Sequence, residues 1–384
     1  MVTLRAEREQ AAARLRRQRW RLGTAAGVVL LALVGLLALA GGRPVAPGRS
    51  AYDAGTTDPL AAAVPVLAGF VEQTRGLRYA RPPVVRVAPA ATVAGAGRET
   101  RAADRSATER ALGFRAAEPA PSPVAIPVAA YSLGQQAVLV QQGRTVDAYT
   151  RVLLVHELTR ALQDQAFGVA ALTRDAAADP DRSRALSALV EGDATRVELA
   201  YVATLPAADQ AAVKTRRGYS RTPGTYGQLA ASFPVTVGRE FAAALAEQGG
   251  NPAVDAAFRR PPASTAQVID PRAYQAGVEP LGVRPPPGSG QRVDAGTLGQ
   301  FGLAALITGG RRVVNAGAAG RWLGDSYGTF RSGRGLCTYA NVVLADSASR
   351  EQLVRDLARW VAGRGGRAEI ARSADRGIRL TSCA

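Results

Sequence analysis

The stretch Val152–Phe167, VLLVHELTRALQDQAF, constrains this chain more than any other. Val152, Leu153, Val155, Leu158 and Leu162 give it an apolar stripe at helical spacing, and Asp147 stands where the helix should begin. At its centre lies His156-Glu157-Leu158-Thr159-Arg160. A helix reading H-E-x-x-H puts two imidazoles one turn apart on one face, where they hold zinc while the Glu serves as general base. Here Arg160 takes the second position. His156 is the only histidine among 384 residues, so no other imidazole can replace the missing one. Arginine keeps its charge in proteins and has no lone pair to give a metal. A cation within ~4 Å of a dication is repelled by several kcal/mol at intermediate dielectric.

Downstream, Ala188-Leu189-Val190-Glu191-Gly192-Asp193-Ala194 falls on a second helix expected over about 182–205. Together, HELTRALQDQ and this EGDA segment resemble the bacterial membrane-anchored neutral zinc metallopeptidase-like family, of gluzincin type. Arg75-Gly76-Leu77, Pro261–Thr265 and Leu298–Leu303 extend the resemblance over roughly residues 57–345. It implies an α+β fold, an α-rich zincin-like metallopeptidase ectodomain behind a single N-terminal transmembrane helix. It also implies that His156 and Glu191 descend from zinc ligands and Glu157 from the general base, with an edge strand beside the helix receiving extended polypeptide. With Arg160 in place, the expectation is an inactive homologue that uses the remnant groove to bind a polypeptide partner and carries no cofactor. Arg160 would bridge Glu157 and Glu191 through its fork of donors, replacing the charge of the metal. The alternative is an active zinc endopeptidase using His156, Glu191 and a further carboxylate drawn from Asp193, Glu198 or Asp164.

Residues 1–21 are Arg-rich, and Leu22–Gly42 runs without a charge for the length of a bilayer-spanning helix. The expected order is a cytoplasmic basic tail (1–21), a transmembrane helix (22–42), a Gly/Pro/Ala-rich linker (43–57) and an extracytoplasmic domain (58–384). A cleaved signal peptide ending near Ala38-Leu39-Ala40 is the competing reading. The net charge of +17 comes almost wholly from scattered Arg with no basic stripe interleaved with aromatics, so no nucleic-acid partner is expected.

Asp58-Pro59 predicts a helix start, Pro82–Val87 a short strand, and Val124–Val140 a hairpin turning at Leu133–Gln136. Residues 88–123 suggest an exposed helical excursion ending in a loop. Gly192, costly in a helix, suggests close backbone approach, either to carry a ligand to a metal or to let two helices pack. Beyond the EGDA helix, helices are expected over 237–248, 296–308 and 349–362, with strands at 339–344 and within 368–378. Cys337 and Cys383 lie on the side where oxidation is permitted, and a bridge is expected between them; two free thiols are the alternative. No nucleophile elbow, phosphate loop or C-x-x-C accompanies these features.

Overall fold

The computed structural model describes residues 58–99, 106–114, 127–217, 225–314, 316–333, 335–373 and 377–384. The first element among the described residues is helix α1 (Pro59–Arg75), capped by the Asp58 carboxylate on the Leu60 N–H and closed by Gly76 in the left-handed region. Strand β1 (Val84–Ala88) leads into α2 (Ala90–Glu99) and α3 (Ser106–Ala111), then the hairpin β2 (Ala129–Ser132) and β3 (Ala137–Gln141). These strands form a sheet of order β1-β3-β2, with β1 parallel and β2 antiparallel to β3.

Alternation along β3 explains how this sheet is buried on both faces. Val138 and Val140 point to one side, where they pack with Leu67 and Val71 of α1 and with Leu154, Leu158 and Leu162 of helix α4 (Ala148–Phe167). Ala137 and Leu139 point to the other side, against Val93 and Ala96 of α2. Residues 88–123 are thus only partly the exposed excursion the sequence suggests. Val93, Ala96, Ala111 and Leu112 are buried, and the Trp360 indole N–H donates to the Leu112 carbonyl.

Two helices continue from α4: α5 (Val169–Ala176) and α6 (Pro180–Ala203), the second capped by Asp179. Then come α7 (Ala207–Arg217) and α8 (Tyr226–Arg259), which is interrupted at Gly249–Gly250. Short helices α9 (Thr265–Ile269) and α10 (Pro271–Gln275) precede strand β4 (Gln291–Gly296) and helix α11 (Gly299–Thr308). A 3-10 turn at Gly317–Arg321 opens into β5 (Trp322–Ser332) and β6 (Gly335–Leu344), followed by α12 (Ser347–Gly363), β7 (Ala368–Arg372) and β8 (Ile378–Cys383).

The last strands form an antiparallel sheet of order β4-β5-β6-β8-β7. Its core-facing row on β6 is Leu336, Thr338, Ala340, Val342 and Leu344, every second residue. Neither β4 nor β5 was expected from the sequence: Gln291–Gly296 is polar, and two glycines and several polar residues interrupt the pattern between Trp322 and Ser332. Cys337 and Cys383 sit directly opposite on β6 and β8 and are joined by a disulfide.

One correction concerns the fold class. The described chain is α+β with two sheets, but among the described residues no helix is long and apolar enough to cross a membrane. What the structure shows is the α+β class alone; the segment 22–42 assigned to a transmembrane helix lies outside the described residues.

Candidate functional site: a buried ion network on two helices

Helix α4 supplies His156, Glu157 and Arg160, and α6 supplies Glu191 and Glu198. The two helices meet face to face, so residues on facing turns come within bonding distance. Both imidazole nitrogens of His156 meet carboxylates: Nε2 lies 3.0 Å from Glu191 Oε2 and Nδ1 lies 2.8 Å from Glu198 Oε2. Arg160 stands between Glu157 and Glu191. Its Nη1 donates to Glu157 Oε2 at 3.2 Å, and its Nε lies 3.3 Å from Glu191 Oε1. Arg217, from the end of α7, closes the far side by donating through Nε to Glu198 Oε1 at 2.8 Å and through Nη2 to Glu198 Oε2.

Glu198 is fully buried, and the side chains of His156 and Arg160 are each 5% exposed. The network reaches solvent through Arg217, Glu191 and Glu157, at 22%, 17% and 11%. Burial alone would discharge His156. The hydrogen bonds to Glu191 and Glu198, with the field of Glu157, outweigh that and push its pKa up to about 9. Burial likewise opposes ionisation of Glu191, but Arg160 and His156 hold its pKa at about 2. Glu198 is also held near 2 against its burial, by the bond from His156 and the charge of Arg217. The result at neutral pH is an imidazolium and two guanidinium groups facing three carboxylates, a balanced cluster in which each charge is hydrogen-bonded.

Glu157 has a second partner that fixes its place. The Tyr131 N–H on β2 donates to Glu157 Oε2 at 2.8 Å. The strand beside the helix is therefore tied to the helix by the carboxylate that would serve as base. Residues Ala129–Ser132 are buried throughout, so β2 offers that amide to Glu157 and not to an added strand.

The other acids considered as ligands are engaged elsewhere. Asp193 accepts from Arg75 Nε at 2.9 Å, from Gln163 Nε2 at 2.9 Å and from Arg196, in a buried cross-link between α1, α4 and α6. Asp164 accepts from the Tyr131 hydroxyl and from the Ala170 N–H, each at 2.8 Å, and so fixes the turn from α4 into α5. These contacts give the run Gln163-Asp164 and the Asp of EGDA a structural explanation that needs no metal. Gly192 is explained the same way: a Cβ there would lie 2.2 Å from the carbonyl carbon and oxygen of Gly238, where α8 crosses α6. Close helix packing decides between the two readings of this glycine.

The fit to zinc is poor. Among the described residues no group of three or more His, Cys, Asp or Glu side chains is arranged to hold a metal ion. The physical reason is occupancy: as an imidazolium His156 has no lone pair to offer, and Arg160 places its charge between the carboxylates a cation would need. No protein-family model, curated protein or solved structure matches this chain. The resemblance to metallopeptidases therefore rests on the motif residues themselves.

Of the six charged residues in the network, the sequence pointed to Arg160 between Glu157 and Glu191. It did not single out Glu198 as the second partner of His156, nor Arg217 at all. Glu198 had a readable signal, since it follows Glu191 by seven residues and so stands two turns along the same face. Arg217 had none, because its reach depends on how α7 folds back.

Proposed function

We propose that this chain is a non-catalytic, metallopeptidase-like protein in which a buried ion network takes the place of a zinc centre. The observation that supports it most directly is the pairing of both His156 nitrogens with Glu191 and Glu198 while Arg160 lies between Glu157 and Glu191. A general base must be free to take a proton from water. Glu157 is instead bound to the Tyr131 amide and the Arg160 guanidinium. Recognition of a polypeptide partner is the role that remains for such a scaffold, and Arg217, Glu191 and Glu157 are what the network presents to solvent. The Cys337–Cys383 disulfide favours residence in an oxidising, extracytoplasmic compartment.

Elemental analysis of the protein purified without chelators, alongside a peptidase assay, tests this reading. The wild type is expected to carry no stoichiometric zinc and to cleave no peptide. Arg160→His, which restores the second imidazole opposite Glu191, is expected to gain zinc. About one zinc per wild-type chain, lost on Glu191→Ala, would overturn the proposal in favour of a peptidase with an altered ligand set.

A further inference from the structure

A second site shares no residue with the ion network. Between the start of α6, the extended loop 280–283 and strand β5 there is a cavity of about 330 Å³, the size of a small-molecule site. Trp322 and Leu281 form apolar wall, while Asp179, Thr297, Asp325 and Ser326 supply its polar groups. The loop is held there by the Leu281 N–H donating to the Leu323 carbonyl. Gly324 permits that approach, since a Cβ on it would lie 2.2 Å from the Leu281 oxygen.

What sets this cavity apart is its charge. In a chain of net charge +17, two carboxylates line it, and among the described residues neither has an ion-pair partner. Asp325 is 5% exposed and receives only neutral donors: the Leu298 and Gly299 N–H groups and the Trp322 indole, at 2.8–2.9 Å. Asp179 receives the Asp181 and Arg182 amides and the Thr297 hydroxyl. A third carboxylate, Asp181, lies behind them and is bound to Thr265 through both oxygens. Arg184 is the cation facing Asp181, and its guanidinium rests 4.1 Å above the Phe301 ring. Arg182, Arg284 and Arg321, the nearest other cations in sequence to the lining, have exposed side chains and make no ion pair with either lining acid; Arg321 pairs with Asp346. Burial and the field of Asp179 push the Asp325 pKa up to about 6, as expected where negative charge gathers without a counter-ion.

We propose that this cavity binds a small organic cation, a primary ammonium or guanidinium on a short apolar body, with the charge between Asp179 and Asp325 and the body against Trp322 and Leu281. An anion would be repelled by both acids. A neutral molecule would leave the charge uncompensated and gain only the apolar contact.

Calorimetric titration of the full-length protein with n-butylammonium, n-butylguanidinium, n-butanol and n-butyrate tests this. Saturable binding is expected for the two cations and not for the alcohol or the carboxylate. Asp179→Asn keeps the helix cap, because Asn caps as well as Asp. It is expected to weaken cation binding about tenfold. Ser326→Phe, which fills the cavity, is expected to abolish binding with the thermal midpoint preserved. The proposal fails if the alcohol binds as well as the ammonium, if neither cation saturates, or if Asp179→Asn binds both cations like the wild type. The last two results stand even where Ser326→Phe does not fold.

Discussion

Replacing Arg160 by Met keeps an unbranched apolar stem and removes the charge, leaving Glu157 and Glu191 without their shared cation. Arg160 is 5% exposed and contacts both acids, at 3.2 and 3.3 Å. Breaking a buried pair by removing one partner costs about 3–5 kcal/mol. Part of that cost has a pH signature. Glu191 is held near 2 in the folded protein against an ordinary 4.5, a shift worth roughly 3 kcal/mol at 1.36 kcal/mol per unit. The charge of Arg160 is the largest single favourable cause, followed by the hydrogen bond and the charge of His156. A carboxylate with a depressed folded pKa contributes stability that is present above its unfolded pKa and lost as pH falls through its folded one. The Glu191 contribution is therefore intact above pH 4.5 and gone near pH 2. The difference between wild type and Arg160→Met should be largest at pH 6–7 and shrink towards pH 2–3 (about, from the linkage relation). Urea unfolding of both proteins across that range measures it. A difference below about 1 kcal/mol at neutral pH, the scale of an exposed pair, would refute the claim that Arg160 holds the network. So would a difference that stays constant with pH.

Gly192→Ala should destabilise the protein by about 1–3 kcal/mol or more, despite the better helix propensity of Ala, because the new Cβ collides with the Gly238 carbonyl; a higher unfolding midpoint would contradict the close crossing of α6 and α8. The Cys337–Cys383 bridge closes a separation of 46 residues, so Cys337→Ala with Cys383→Ala should cost up to about 4 kcal/mol in the chain-entropy description. Equal denaturant midpoints for the double variant and wild type under non-reducing conditions would count against it. Asp181, whose pKa burial pushes up to about 7 from an ordinary 3.8, contributes stability that is full below the lower value and lost as pH rises through the higher one. Asp181→Asn should flatten the decline between those pH values, and an unchanged slope in denaturant midpoints would rule that out.

Much of the N-terminal half was legible because its signals are local. Asp58-Pro59 and Asp147 cap helices where the sequence places them, and Leu133–Gln136 turn the hairpin, with Gln136 at a φ of 48°. His156 and Arg160 belong to one face of one helix by period alone. That Arg160 stands where an H-E-x-x-H helix would carry its second imidazole was legible too, as was the lack of any second histidine to replace it. Contacts between distant segments were not legible. The antiparallel sheet pairs β4 with β5 through backbone hydrogen bonds that any residue can make, so side-chain pattern carries little trace of it. Whether Gly192 serves a ligand or a helix crossing depends on Gly238, 46 positions away, and only the packing of α8 on α6 answers it. The same holds for Glu198 and Arg217: the sequence determined that α4 would present one imidazole and one guanidinium. Only the tertiary structure decided that a second glutamate and a second arginine would complete the charge balance, because ion pairing depends on distances that chain order does not specify.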